Sequence, residues 1–141
     1  MEMSRHRPSI LIVDDEYRLG RFVATALERV GYSTQTCSSA AEARTLMATG
    51  DWQLVISDVL MPRESGLDLV HWIGAWYLWV PTILITAHAS DTIIHSATQL
   101  GVAAVLYKPF TVDHLRKTIQ EVLAQMPPMP SWRAEAVSKY Q

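Results

Sequence analysis

Apolar residues recur along this chain in two alternating rhythms. Short runs rich in Val, Ile and Leu are separated by longer stretches whose apolar positions fall every three or four residues. The runs are Ile10-Leu11-Ile12-Val13, Leu54-Val55-Ile56, Pro81-Thr82-Ile83-Leu84-Ile85 and residues 103–107, and the more polar stretch 33–37 takes a strand's place between the first two. Continuous apolar runs bounded by turn signals read as strands buried on both faces, the pattern of a parallel sheet. Ser33 to Cys37 is the weakest of the five and predicts a strand nearer an edge. The first intervening stretch, 17–30, puts Leu19, Phe22, Val23, Ala26, Leu27 and Val30 on one helical stripe, with Gly31 as its stop. Ser38 or Ser39 can cap a second helix through Ala43, Leu46 and Met47, which ends at Gly50. A third helix runs from Gly66 to about Trp76 with Leu69, Val70 and Ile73 inward. Ser90 caps a fourth over 91–100, and Thr111 a fifth carrying Leu115, Ile119, Val122 and Leu123. Five strands alternating with five helices predict an α/β fold with a doubly wound parallel sheet. The break Met126-Pro127-Pro128-Met129-Pro130 ends the last helix. The predicted organisation is an N-terminal extension over 1–8, one domain over 9–126, and a Pro-rich tail or linker over 127–141.

Composition narrows the class. Hydrophobic residues make up 49% and charged residues 18% of the 141, which excludes a disordered chain. The formal net charge of −2 gives no electrostatic case for nucleic-acid binding by this domain. Cys37 is the only cysteine, so no internal disulfide forms, and it reads as a small core residue. The first eight residues lack the apolar core of a signal peptide, and no apolar stretch is long enough to span a bilayer. The expectation is a soluble cytoplasmic protein with no membrane partner.

Chemistry gathers where the strands stop. Strand one ends at Asp14-Asp15-Glu16, strand three at Asp58, strand four at Thr86 and strand five at Lys108. In a parallel sheet these ends share one edge, where ligands bind in open α/β folds. Each residue alone has a bland reading: an Asp after a strand is more often a turn former or helix cap, and Lys-Pro a surface turn. Together they favour a site. Three close carboxylates repel unless neutralised, and a hard divalent cation such as Mg²⁺ (or Mn²⁺) does this with oxygen ligands. Asp58 can then act as a nucleophile toward phosphorus, with Lys108 and the Thr86 hydroxyl placed to hold the charged equatorial oxygens.

These residues carry a family resemblance. Ile12-Val13-Asp14-Asp15-Glu16, Asp58-Val59-Leu60-Met61-Pro62 with Gly66, Ile85-Thr86-Ala87 and Lys108-Pro109-Phe110 are similar to the receiver domain of two-component response regulators, over roughly residues 9–125. The resemblance implies a flavodoxin-like sheet of order 2-1-3-4-5. It implies Asp58 as the phosphoacceptor in phosphorelay signal transduction. Asp14, Asp15, Asp58 and the backbone carbonyl of Leu60 would be the metal ligands, and Thr86 and Lys108 would contact the phosphoryl group. The implied donor is a histidine kinase or phosphotransfer protein, and the implied effect is a surface change that controls an output domain or partner. The chain would not be an enzyme beyond phosphotransfer to its own Asp58 and loss of that group. The position three before the lysine, usually aromatic in such domains, is Val105 here, while Tyr107 directly precedes Lys108. By this resemblance Thr86, Val105 and Tyr107 would be the switch residues.

Two rival readings compete with this one. An FMN-binding electron carrier of similar fold needs a phosphate-cradling loop after strand one, where Asp14-Asp15-Glu16 would repel the phosphate. A non-phosphorylated interaction module would not need intact acidic and lysine positions. Leu60 and His88, each two residues beyond a site residue, either flank the phosphoryl group and tune its hydrolysis or are plain loop residues. Trp72 and Trp76, one helical turn apart, fall opposite the inward face of the third helix. Exposed, they would form a partner or homodimer surface; alternatively the helix end rotates and buries them.

Overall fold

Five parallel strands form one sheet in the order β2-β1-β3-β4-β5. They are β1 (Ser9–Val13), β2 (Ser33–Cys37), β3 (Leu54–Asp58), β4 (Thr82–Thr86) and β5 (Ala104–Tyr107), alternating with α1 (Tyr17–Glu28), α2 (Ala40–Thr49), α3 (Gly66–Trp76), α4 (Asp91–Leu100) and α5 (Val112–Gln125). This computed structural model describes residues 7–88 and 90–125. Most of the predicted N-terminal extension and the whole predicted tail lie outside the described residues. Among those described, no helix is long and apolar enough to cross a membrane.

Strand alternation divides the core into two layers. Ile10, Ile12, Leu54, Ile56, Ile83, Ile85 and Leu106 face α1 and α5, meeting Val23, Leu27, Leu115 and Ile119. On the other face Leu11, Val13 and Val55 meet Ala43 and Met47 of α2 and Leu69 and Ile73 of α3. Leu84 packs beside Val59, Val70 and Ala97, which brings α4 into that layer. β3 and β4 are buried at every position, as central strands covered on both faces must be. β2, Ser-Thr-Gln-Thr-Cys, is the polar edge strand that its composition predicts.

The caps behave as their side chains dictate. Ser39, not Ser38, caps α2 by accepting from the Glu42 N–H, while Ser38 bonds the Glu42 carboxylate instead. Ser65 and Asp68 close a capping box at the start of α3. Ser90 accepts from the Ile93 N–H and Thr111 from the His114 N–H.

Two expectations for the first helix are corrected. Phe22 is half exposed, because the buried stripe of α1 is Gly20, Val23, Ala24 and Leu27, and Phe22 is turned about 100° from Val23. Val30 lies past the helix, which ends at Glu28 before the chain reverses at Gly31 with φ +104°. A third correction concerns α3. Trp72 is half-buried against the α2–α3 core rather than turned away from it, whereas Trp76 is 67% exposed.

Candidate functional site

The carboxyl edge of the sheet collects the site residues because parallel strands all end there. Asp14 continues β1 by one residue: its N–H donates to the Cys37 carbonyl of β2 at 3.0 Å. Its side-chain Oδ1 accepts from the Glu16 N–H at 2.8 Å, which turns the chain into α1. Asp58 closes β3, and Ser57 Oγ donates to its backbone carbonyl at 2.9 Å. Both aspartates are buried, with 7% of each exposed. Lys108 follows β5 and keeps the pairing with β4 by donating its N–H to the Thr86 carbonyl at 2.9 Å. Its peptide bond to Pro109 is cis. Its ammonium Nζ lies 3.2 Å from Asp58 Oδ2 and 3.6 Å from Glu16 Oε1.

Carboxylate oxygens of Asp14, Glu16 and Asp58 lie within 4.8 Å of one another. Burial pushes the Asp14 carboxyl up to about 6; the Glu16 N–H opposes this, and the nearby Asp58 charge adds to it. Burial alone would lower the Lys108 ammonium, but Asp58, Asp14 and Glu16 outweigh it and hold the ammonium above its ordinary value. Three carboxylates thus face one cation. That excess of hard oxygen donors fits a divalent ion such as Mg²⁺.

The sequence resemblance points to Asp15 as a metal ligand and not to Glu16. Asp15 is exposed, and its carboxylate is not one of the three that converge. The chain bends at Asp15, and the turn that Asp14 Oδ1 closes with the Glu16 N–H leaves Asp15 outside and Glu16 beside the cluster. The period of β1 stops at Val13, so no strand alternation points to Glu16.

The remaining predicted residues surround this centre. Thr86 is buried, and its hydroxyl is engaged with the next loop: Oγ1 accepts from the His88 N–H at 2.9 Å and donates to the His88 carbonyl at 3.1 Å. The His88 side chain is exposed. Leu60 is 53% exposed in the loop after Asp58. Val105 is partly buried against the α3–α4 layer, while Tyr107, the register partner of Thr86, is 44% exposed. Cys37, expected in the core, is partly buried against it, and burial pushes its thiol up to about 11.

One glycine is required by the site. A Cβ on Gly66 would stand 2.2 Å from the Asp58 carbonyl oxygen. With its N–H donated to the Val59 carbonyl at 2.8 Å, Gly66 lets α3 start directly against the acidic strand end.

A five-stranded sheet of this order, with an acidic cluster and a lysine at its carboxyl edge, defines a class of signalling domain. Residues 10–120 match the family described as the response regulator receiver domain, and the chain belongs to that family. It is 34% identical over 137 residues to the transcriptional regulatory protein GlrR of Escherichia coli, covering 95% of this chain and 31% of GlrR. It is 31% identical over 123 residues to the transcriptional regulatory protein GltR of Pseudomonas aeruginosa, covering 86% of this chain and 51% of GltR. The chain thus spans about a third to a half of the length of these relatives. Among solved structures it is similar to the chemotaxis response regulator CheY4 of Vibrio cholerae, with a TM-score of 0.78 and 28% identity, over 83% of this chain and 99% of that one. It is also similar to the non-phosphorylated HemR receiver domain of Leptospira biflexa, with a TM-score of 0.81 and 27% identity, over 88% and 100%.

Proposed function

We propose that this chain is a phosphoacceptor switch that receives a phosphoryl group on Asp58 from the phosphohistidine of a histidine kinase or phosphotransfer protein. The observation that carries this reading is the Lys108 ammonium, 3.2 Å from Asp58 Oδ2 at an edge shared with Asp14 and Glu16. An Asp58 carboxylate oxygen attacks phosphorus, the bond from phosphorus to the imidazole nitrogen breaks, and an acyl phosphate results. Lys108 balances the negative charge spread over the equatorial oxygens. Asp14, Asp58 and the Leu60 carbonyl would hold Mg²⁺ or Mn²⁺ with Glu16 as a further oxygen donor, and Asp15, outside the convergent three, would join them only by swinging inward. That ion would supply the positive charge that lets an anionic acceptor approach an anionic donor. Leu60 and His88 flank the group and tune its loss by hydrolysis.

Phosphorylation then draws the Thr86 hydroxyl away from the His88 backbone and frees the loop after β4. Val105 and Tyr107, on the face of β5 toward α4, carry the change outward. The chain acts in the cytoplasm as a phosphoprotein, on an output domain or partner; the transcriptional regulators among its relatives favour an attached output domain. The receiver domain occupies 9–126, and 127–141 is a Pro-rich tail or linker.

The test is incubation with acetyl phosphate and Mg²⁺ followed by intact mass. One phosphoryl group should be gained by the wild type and none by Asp58→Asn. A gain by Asp58→Asn would overturn the assignment.

A further inference from the structure

The loop between Asp58 and α3 carries the Leu60 carbonyl, and it is under strain. Arg63 has φ +72°, a region that non-glycine side chains seldom occupy. Across Arg63, the Glu64 N–H donates to the Pro62 carbonyl at 2.8 Å, closing a three-residue turn of the rarer, strained hand. Such a conformation persists only where its surroundings hold it.

The holding group stands on a different helix. Arg44 of α2 grips the Glu64 carboxylate with both guanidinium nitrogens, Nη1 at 2.8 Å from Oε1 and Nη2 on Oε2. Both side chains are about two-thirds shielded, with 29% and 31% exposed. The guanidinium is itself fixed, because it lies 5.6 Å from the centroid of the Trp72 ring on α3. Trp72 in turn packs on Tyr77 at 5.4 Å. A two-pronged ion pair of this kind specifies direction as well as proximity. It joins the strained turn to two helices whose own positions are set by the core.

We propose that Arg44 and Glu64 are positioning residues: their clamp, seated on Trp72, holds the 59–65 loop in one conformation and so fixes the backbone around Leu60, next to the acidic strand end. This rests on the phosphoacceptor reading of the site, but the clamp itself can be tested without phosphorylation. Nothing about Arg44 touches the reacting atoms; it works through Glu64 and the turn at Arg63. An Arg-to-Lys change would keep the charge and lose the fork.

The experiment compares wild type, Arg44→Met, Glu64→Gln and the double variant. Amide hydrogen exchange in metal-free protein is read at residues 60–66 relative to β1 and β3 in the same molecule. Mg²⁺ affinity is read by tryptophan fluorescence. Each single variant should speed loop exchange about tenfold relative to the strands and weaken Mg²⁺ about tenfold, the lower end for a supporting residue. The double variant should be no worse than either single, since both remove one interaction. Loop exchange within about twofold of wild type, a rise shared equally by β1 and β3, or a double variant equal to the product of the singles would each overturn the clamp. Failure of the wild type to gain phosphate on Asp58 would defeat the phosphoacceptor reading and leave the exchange result to decide the clamp.

Discussion

Gly66 lies so close to the Asp58 carbonyl oxygen that a Cβ on it would stand 2.2 Å away. The obstructing atom is backbone, so it cannot turn aside as a side-chain tip would. Gly66→Ala should therefore cost about 3 kcal/mol, the upper part of the range for overpacking. It should lower the thermal midpoint by roughly 10 °C. A midpoint within about 2 °C of wild type would show that α3 can retreat from the strand end without penalty.

Asp14 gives the metal-free protein a pH dependence of definite sign. Its carboxyl moves from 3.8 unfolded to about 6 folded, chiefly through burial. Between those values the folded chain binds more protons than the unfolded chain. The stability this group contributes is present below about pH 4 and is lost as pH rises through about 6. Asp14→Asn removes that loss, so it should raise the metal-free midpoint at pH 7.5 by about 2–4 °C. Mg²⁺ should raise the wild-type midpoint by mass action and leave Asp14→Asn nearly unmoved. Equal Mg²⁺ responses in the two would remove Asp14 from the ligand set.

Cys37 should be a poor nucleophile. Burial first, and the Glu42 charge second, push its thiol up to about 11. At pH 8 only about one molecule in a thousand carries the thiolate. Alkylation by iodoacetamide at that pH should run at least about 100-fold slower than for free cysteine and return to the free rate in denaturant. Rapid labelling of the folded protein would contradict the shift.

Thr86 and Tyr107 are register partners at the ends of β4 and β5. Val105 is branched and short, so it has no ring to move between two positions. Tyr107, on the same face and half exposed, is the aromatic available. Amide chemical shifts with and without a phosphoryl mimic should change along residues 90–120 in wild type. In Tyr107→Ala the changes should stop near Thr86 and Lys108. Matching shifts in both proteins would exclude Tyr107 from the coupling.

The two tryptophans of α3 should separate cleanly. Trp72 is packed between the Arg44 guanidinium and Tyr77, so Trp72→Ala should cost about 2–3 kcal/mol in urea unfolding. Trp76→Ala should stay within about 0.5 kcal/mol, as exposed substitutions do. The homodimer expected from this helix then depends on Trp76 with the exposed Leu78. Trp76→Glu should weaken self-association in sedimentation velocity, and a wild type that stays monomeric at high concentration would exclude that dimer.

The sequence by itself determined the alternation of elements, the burial of β3 and β4, and the convergence of Asp14, Asp58 and Lys108. Hydrophobic period and strand-end position are local properties that a parallel sheet converts directly into a shared edge. The polar edge position of β2 was legible for the same reason. What only the tertiary structure decided depends on rotation and on distant partners. Glu16 enters the cluster because the chain bends at Asp15 and turns on the Asp14 carboxylate, which leaves Asp15 outside. Phe22 is left exposed because it stands about 100° round α1 from Val23, off the stripe of Gly20, Val23, Ala24 and Leu27 that packs inward. Trp72 is held inward by an arginine 28 positions earlier, whose own partner, Glu64, sits on the loop after Asp58. No period in the sequence encodes that meeting of α2, α3 and the loop, because each side chain satisfies its local pattern equally well pointing into water. Only the packing of two helices on one face of the sheet shields the cation, the ring and the carboxylate from most of the water and leaves them to one another.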